Sequence, residues 1–154
     1  MSTAECPFCR KLADLKAVPA DELVAELPHA IVLLGPWQYY HGYCIVVARR
    51  HATELSQLSD VERRGYLDDM CRVAKAIEMR FRPCKLNYEL LGNQEPHLHW
   101  HLFPRYREDP ERLQPVWLTL ERADHTAGRQ LCSSGPTDRT ETAAALREAL
   151  KALP

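Results

Sequence analysis

Pro96-His97-Leu98-His99-Trp100-His101-Leu102-Phe103-Pro104-Arg105 places three of the chain's seven histidines at every second position. Side chains of an extended strand alternate between faces at about 3.3 Å per residue, so the three imidazoles are expected on one face, about 6.7 Å apart. Leu98, Trp100 and Leu102 fall on the other face. One side packs and the other carries chemistry. A half-exposed strand that happens to turn histidine outward explains one such residue, but explains three in register poorly. Two chemical readings follow. One is a metal site, because imidazole is a common zinc ligand and neighbours at i, i+2 can share an ion. The other is nucleophilic catalysis at phosphorus, in which a neutral imidazole attacks while its neighbours fix its tautomer and hold the phosphate.

Outward from this segment, Lys85 to Leu91 reads as a second strand, joined to His97–Tyr106 by the turn-rich Gly92-Asn93-Gln94-Glu95-Pro96. Further upstream, Ser59-Asp60-Val61-Glu62 is a capping box that opens a helix. Tyr66, Met70, Val73 and Ile77 make its apolar stripe, flanked by Leu67, Ala74 and Phe81, and Pro83 stops it. Before it lie LVAEL from Leu23, AIVLLG from Ala30 and YCIVVAR from Tyr43, divided by Pro28-His29 and by the Gly35 to Gly42 stretch. Five strands with one long helix after the third predict an α+β fold built on an antiparallel sheet. Asp109 to Pro136 reads as a loop-rich tail with a short strand near Val116-Trp117, and Asp138 to Leu153 as a final helix.

The length of 154 residues fits a single domain, numbered 1–154, with enough chain to bury a core without disulfides. Twenty basic against twenty-one acidic residues leave no field to hold nucleic acid or an anionic membrane. The longest apolar run, Ala30 to Trp37, is far short of a membrane span, and the N-terminus lacks a signal-peptide layout. The expectation is therefore a cytoplasmic protein with reduced cysteines. Cys6-Pro7-Phe8-Cys9 has the spacing of a redox pair or of a zinc half-site needing two more ligands. The redox reading lacks the strand that should precede it. Cys44, Cys71, Cys84 and Cys132 read as small apolar packing residues.

His97-Leu98-His99-Trp100-His101-Leu102-Phe103 resembles the signature of the histidine triad (HIT) family, His-φ-His-φ-His-φ-φ with φ apolar, at all seven positions. The block from His41-Gly42-Tyr43 through Ala48-Arg49-Arg50-His51 looks like the family's second signature, and together the two cover roughly residues 6 to 106. The resemblance implies a HIT-like fold, five antiparallel strands with helices packed on them, usually a symmetric homodimer. It implies a nucleotide hydrolase or nucleotidyl transferase working at the α-phosphate of a dinucleoside polyphosphate or a nucleoside phosphoramidate, with no organic cofactor.

By the same resemblance His99 is the nucleophile that forms a nucleotidyl-histidine, the His97 carbonyl holds its Nδ1 proton, and His101 contacts the phosphate or leaving group. His41 buttresses the row from the neighbouring strand, and Asn93 and Gln94 supply polar groups to phosphate or ribose, although Gly-Asn is also ordinary turn chemistry. Where the family commonly carries a ribose-binding aspartate, this chain has Leu33. Trp37, Tyr39 and Tyr40 offer an aromatic wall for a base or simply pack. Family members with a CxxC resemble a zinc site completed here by His51 and His97 beside Cys6 and Cys9. The rival readings are a nucleotide-binding protein of the same fold without catalysis, and a metallohydrolase using the three histidines. The dimer is expected to bury part of the Tyr66 to Phe81 helix.

Overall fold

Ser59 accepts a hydrogen bond from the Glu62 amide while the Glu62 carboxylate accepts from the Ser59 amide, and the helix α2 (Asp60–Phe81) that this box opens runs for 22 residues. Arg82 closes it in the left-handed conformation, φ 52°, immediately before Pro83. In the computed structural model, which describes residues 5–119 and 138–154, α2 lies on a sheet of five antiparallel strands. These are β1 (Leu23–Glu26), β2 (Ala30–Leu34), β3 (Cys44–Ala48), β4 (Lys85–Glu89) and β5 (His99–Arg105), in spatial order β1-β2-β3-β5-β4.

The stripe of α2 is spent on the sheet. Tyr66, Met70, Val73, Ala74 and Ile77 pack with Val32, Val46, Leu86, Leu98 and Leu102, and the Tyr66 hydroxyl donates to the Val46 carbonyl at 2.9 Å. The C-terminal helix α3 (Arg139–Lys151) joins this layer through Ala143, Leu146 and Leu150, and Asp138 caps its first turn. The stripe is therefore spent on the core, and the exposed large apolar residues of α2 are Val61 and Met79.

The opposite face of the sheet is covered only in part. A short helix α1 (Pro7–Ala13) sets Cys6, Phe8 and Val18 against Ile31, Leu33 and Val47. The sequence reading did not include α1. Its signal was present: Cys6 caps it by accepting from the Cys9 amide at 3.4 Å, and Pro7 occupies the first turn, where its missing N–H costs nothing.

Three further expectations are corrected. β5 begins at His99, because the chain bends at His97, so the three histidines are not one uninterrupted strand row. Residues 116–119 are helical where a short strand was expected; Pro115 begins the turn and Val116 is its buried member. Cys44 is buried as expected, but Cys71 and Cys84 are exposed. Most of the expected tail, and Cys132 with it, lies outside the described residues.

Candidate active site and metal cluster

β5 carries His99 and His101 on the face that α2 does not cover. Its register with β3 pairs Val47 with His99 and Ile45 with His101, and its register with β4 pairs His101 with Glu89. Directly opposed residues share a face, so Ile45, His101 and Glu89 form one row across the sheet, next to the row of Val47 and His99.

His99 is held through its own strand entry. Its Nδ1 lies 2.6 Å from the carbonyl oxygen of His97, and because a carbonyl only accepts, Nδ1 carries the proton and Nε2 keeps its lone pair. Burial lowers the His99 pKa, while the bond to the His97 carbonyl and the charge of Glu95 act against that shift. The Phe8 ring covers the imidazole with centroids 4.8 Å apart.

His101 is held by a residue to which the sequence alone assigns no role. The Tyr43 hydroxyl lies 2.6 Å from its Nδ1. Burial raises the Tyr43 pKa, so the phenol keeps its proton. With Nδ1 of His101 as the only acceptor found for this hydroxyl among the described residues, it donates there, which places the His101 proton on Nε2. Burial, aided by His99, pushes the His101 pKa down to about 4, and the ring is neutral at pH 7.

The loop before β3 is built to present Tyr43. Buried Gln38 donates to the Gly35 and Tyr43 carbonyls and accepts from the Gly42 amide. A Cβ at Gly35 would sit 2.1 Å from the Tyr43 ring, so only glycine lets the ring lie there. Tyr43 in turn stacks on Phe103 at 4.1 Å and on Trp37 at 6.2 Å. Of the three expected wall aromatics, Trp37 stacks on Tyr43 and Tyr40 meets Phe103 edge-on at 5.4 Å. Tyr39 and Tyr40 line a separate cavity of about 390 Å³ with His41 and Tyr106.

His41 lies at the far end of β5 from His99. Pairing of Cys44 with Leu102 carries residue 41 past that end, where its carbonyl accepts from Tyr106 and its ring stands against Phe81 at 4.5 Å. Asn93 and Gln94 are exposed in the loop before His97. The asparagine that the sheet brings onto the face of His101 is Asn87, whose side-chain oxygen accepts from Arg105 at 3.2 Å.

His97 turns its ring to the other end. Its Nε2 donates to the Ala48 carbonyl at 2.8 Å, leaving the lone pair on Nδ1. That Nδ1 lies 3.2 Å from the Nδ1 of His51, 3.4 Å from the Cys6 sulfur and 3.6 Å from the Cys9 sulfur, and Cys9 is 3.3 Å from His51 Nδ1. All four donor atoms lie within 4.8 Å of one another. A tetrahedral zinc with Zn–N of about 2.0–2.1 Å and Zn–S of about 2.3 Å requires edges of about 3.3 Å between nitrogens and about 3.6 Å from nitrogen to sulfur. The three edges from His97 and the one from Cys9 to His51, 3.2–3.6 Å, are of that length. The Ala48 carbonyl is the outer-shell partner such a ligand needs. Because both nitrogens of His97 are committed, the three triad rings do not converge on one ion.

A cavity of about 510 Å³ opens on the same face. Phe8, Leu33, Leu34, Pro36 and Ile45 give it an apolar lining, with Lys11, Glu22 and Arg139 at its polar margin. Lys11 pairs with Glu22 at 2.8 Å and Arg139 with Asp21 at 3.3 Å, so both cations at that margin have partners. Leu33 presents a buried apolar side chain where the resemblance led to an aspartate as the common residue.

A protein with this sheet order, a buried histidine held through a carbonyl, and a second histidine two residues on has the architecture of the histidine triad proteins. The HIT domain profile matches residues 16–108, and the chain belongs to that family. It is 28% identical over 119 residues to the Protein hit of Bacillus subtilis, covering 74% of this chain and 79% of that one. Among solved structures, a histidine triad protein from Bradyrhizobium japonicum is 26% identical, with a TM-score of 0.66 over 83% of this chain and 89% of its own. A zinc-bound histidine triad family protein from Mycobacterium smegmatis shares the fold at 19% identity, with a TM-score of 0.68 over 97% and 96% of the two chains. Among the described residues no helix is long and apolar enough to cross a membrane.

Proposed function

We propose that this HIT protein is a nucleotide hydrolase or nucleotidyl transferase that acts at the α-phosphate of a dinucleoside polyphosphate or nucleoside phosphoramidate through a covalent nucleotidyl-His99. The observation that carries this reading is the 2.6 Å contact of His99 Nδ1 with the His97 carbonyl, which leaves Nε2 unprotonated and nucleophilic. His99 Nε2 attacks phosphorus, and the bond to the leaving group breaks. Water then attacks the phosphorus of the phosphoramidate and returns the electron pair to Nε2. His101 presents its Nε2 proton to a phosphate oxygen, a donor already oriented by Tyr43 before charge develops. The cavity bounded by Phe8, Leu33 and Ile45 takes the nucleoside.

Cys6, Cys9, His51 and His97 would hold a structural zinc ion, the donor set and spacing being those of a closed Cys2His2 site. Bound there, the metal supplies rigidity: it fastens α1 to the turn after β3 and to the bend before β5. The side chain of His97 serves the cluster while its carbonyl serves His99, so the two roles do not compete. The chain acts as a homodimer, which light scattering tests by returning twice the 17.7 kDa chain mass.

The reaction is tested by intact-protein mass spectrometry after brief mixing with diadenosine tetraphosphate or adenosine 5′-phosphoramidate. The expected result is a mass increase of one adenylyl group on the wild type, and none on His99→Gly. An unmodified wild-type mass, with nucleotide binding retained, leaves the non-catalytic reading in its place.

A further inference from the structure

Glu89 is the last residue of β4, and its strand partner is His101. Directly opposed residues on antiparallel strands have Cβ atoms about 4.5–5.5 Å apart on one face, so the register sets Glu89 opposite the third histidine, on the face of the triad, where its carboxyl also acts on the Tyr43 hydroxyl. Its Oε2 is sealed from solvent and has no hydrogen-bond partner among the described residues. The residue as a whole is only half-buried, so the group is accessible from one side.

A buried carboxyl oxygen without a partner is costly, more so when charged, and such groups concentrate where chemistry needs them. The groups around Glu89 do little to settle a charge on it. The Tyr43 hydroxyl is given to His101, and the two proposed triad rings, His99 and His101, are uncharged. Arg105, four residues beyond His101 on the same face, acts against the larger effect of burial on Glu89, but its guanidinium is turned to Asp109, Asn87 and the Gln114 and Glu111 carbonyls.

We propose that Glu89 is the general acid and base of this site, giving its proton to the leaving group beside His101 and recovering one from the attacking water. The proposal rests on the covalent reading above. In the first step His99 Nε2 forms its bond to phosphorus, and the bond from phosphorus to the leaving nitrogen or oxygen breaks. Its electron pair takes the Glu89 proton, and the carboxylate remains. In the second step the water oxygen bonds to phosphorus, its proton returns to Glu89, and the electron pair of the P–N bond returns to Nε2. His101 is a poor proton source for this purpose because its neutral ring would have to give up the Nε2 proton. Burial pushes the Glu89 carboxyl up to about 7, which suits a group that must both give and take a proton near neutrality.

The test compares two substrates in the wild type and in Glu89→Gln: an adenosine 5′-phosphoramidate bearing an alkylamine, which needs a proton to leave, and adenosine 5′-(p-nitrophenyl phosphate), whose leaving group departs as a stable anion. Glu89→Gln is expected to slow the first about 100-fold, with a loss at least thirty times smaller on the second. The fall in kcat/KM of the wild type above about pH 7 on the alkylamine substrate disappears in Glu89→Gln and persists in Glu89→Asp. Equal losses on both substrates, or none on either, overturn the proposal. A wild type that forms no nucleotidyl adduct with either substrate overturns the covalent reading as well, and the missing adduct tells that failure from the loss of Glu89's role alone.

Discussion

His97 and His101 flank His99 at the same distance in sequence, yet the fold gives their rings different surroundings. At His97 the backbone bends, and the ring swings away from the strand to face two thiols and another imidazole. At His101 the strand is regular, and the ring stays on the sheet against a phenol. One is part of a Cys2His2 cluster and the other is a neutral ring on the sheet, proposed above as a donor to phosphate. Period-two spacing settles which face a side chain points to, but a single bend and the identity of the neighbours decide what the ring does there.

The largest effect that can break this division of labour is at the ring between them. His99→Ala is expected to lower turnover by about four orders of magnitude or more, with nucleotide binding and metal content unchanged. A variant within tenfold of the wild-type rate, by steady-state assay, assigns the attack elsewhere. Next in size is the His97 end. Purified protein is expected to hold about one equivalent of zinc. Cys9→Ser should lose it and melt about 10 °C lower, from a loss of about 3 kcal/mol at about 2–4 °C per kcal/mol. Elemental analysis and calorimetry read both quantities, and wild-type protein without zinc, purified free of chelators, breaks the assignment.

At the His101 end the expected effect is smaller. Tyr43→Phe removes the donor to Nδ1 and is expected to slow turnover about tenfold, corresponding to about 1.4 kcal/mol for a buried acceptor left unpaired. The ¹⁵N shifts of His101 should then show a mixed tautomer where the wild type is protonated at Nε2 alone. The same ring also affects stability against pH. The His101 imidazole titrates near 6.5 in the unfolded chain and at about 4 in the folded one, so between these values the unfolded state binds the extra proton. Its contribution is therefore full above pH 6.5 and is lost as pH falls toward 4. His101→Gln should flatten that slope in urea titrations, measured in the Cys9→Ser background so that ligand protonation at the cluster does not add to it.

The sheet and α2 were legible because their signals are local: apolar strands cut by turns, and a capping box followed by a stripe at helical period. The pairing of Cys6 and Cys9 with His51 and His97 came through family resemblance, since C-x2-C alone leaves two ligands open. Tyr43 and Glu89 were missed for a different reason. Neither has a local signature. Each acquires its place only when β3 and β4 pair with β5, a register that no segment contains by itself. His41 was set on the row because it opens the block that leads into β3; the turn at Gly42, φ 86°, carries it past the strand's end and brings Tyr43 onto the face instead. The helical turn at 116–119 was read as a strand because Val116-Trp117 is apolar and too short to show a period.

The four side chains of the cluster are also unevenly spaced along the chain. Cys6 and Cys9 are neighbours, whereas His51 lies 42 residues from Cys9 and His97 lies 91 residues from Cys6. During refolding the thiols can capture a metal ion at once, but the other two ligands arrive only after loops of that size have closed. Loop closure of that size predicts that the site is completed only after β3 and β5 have paired. A metal held there consequently does little for the rate at which the chain folds and much to slow its unfolding, since it stabilises the native state more than the transition state.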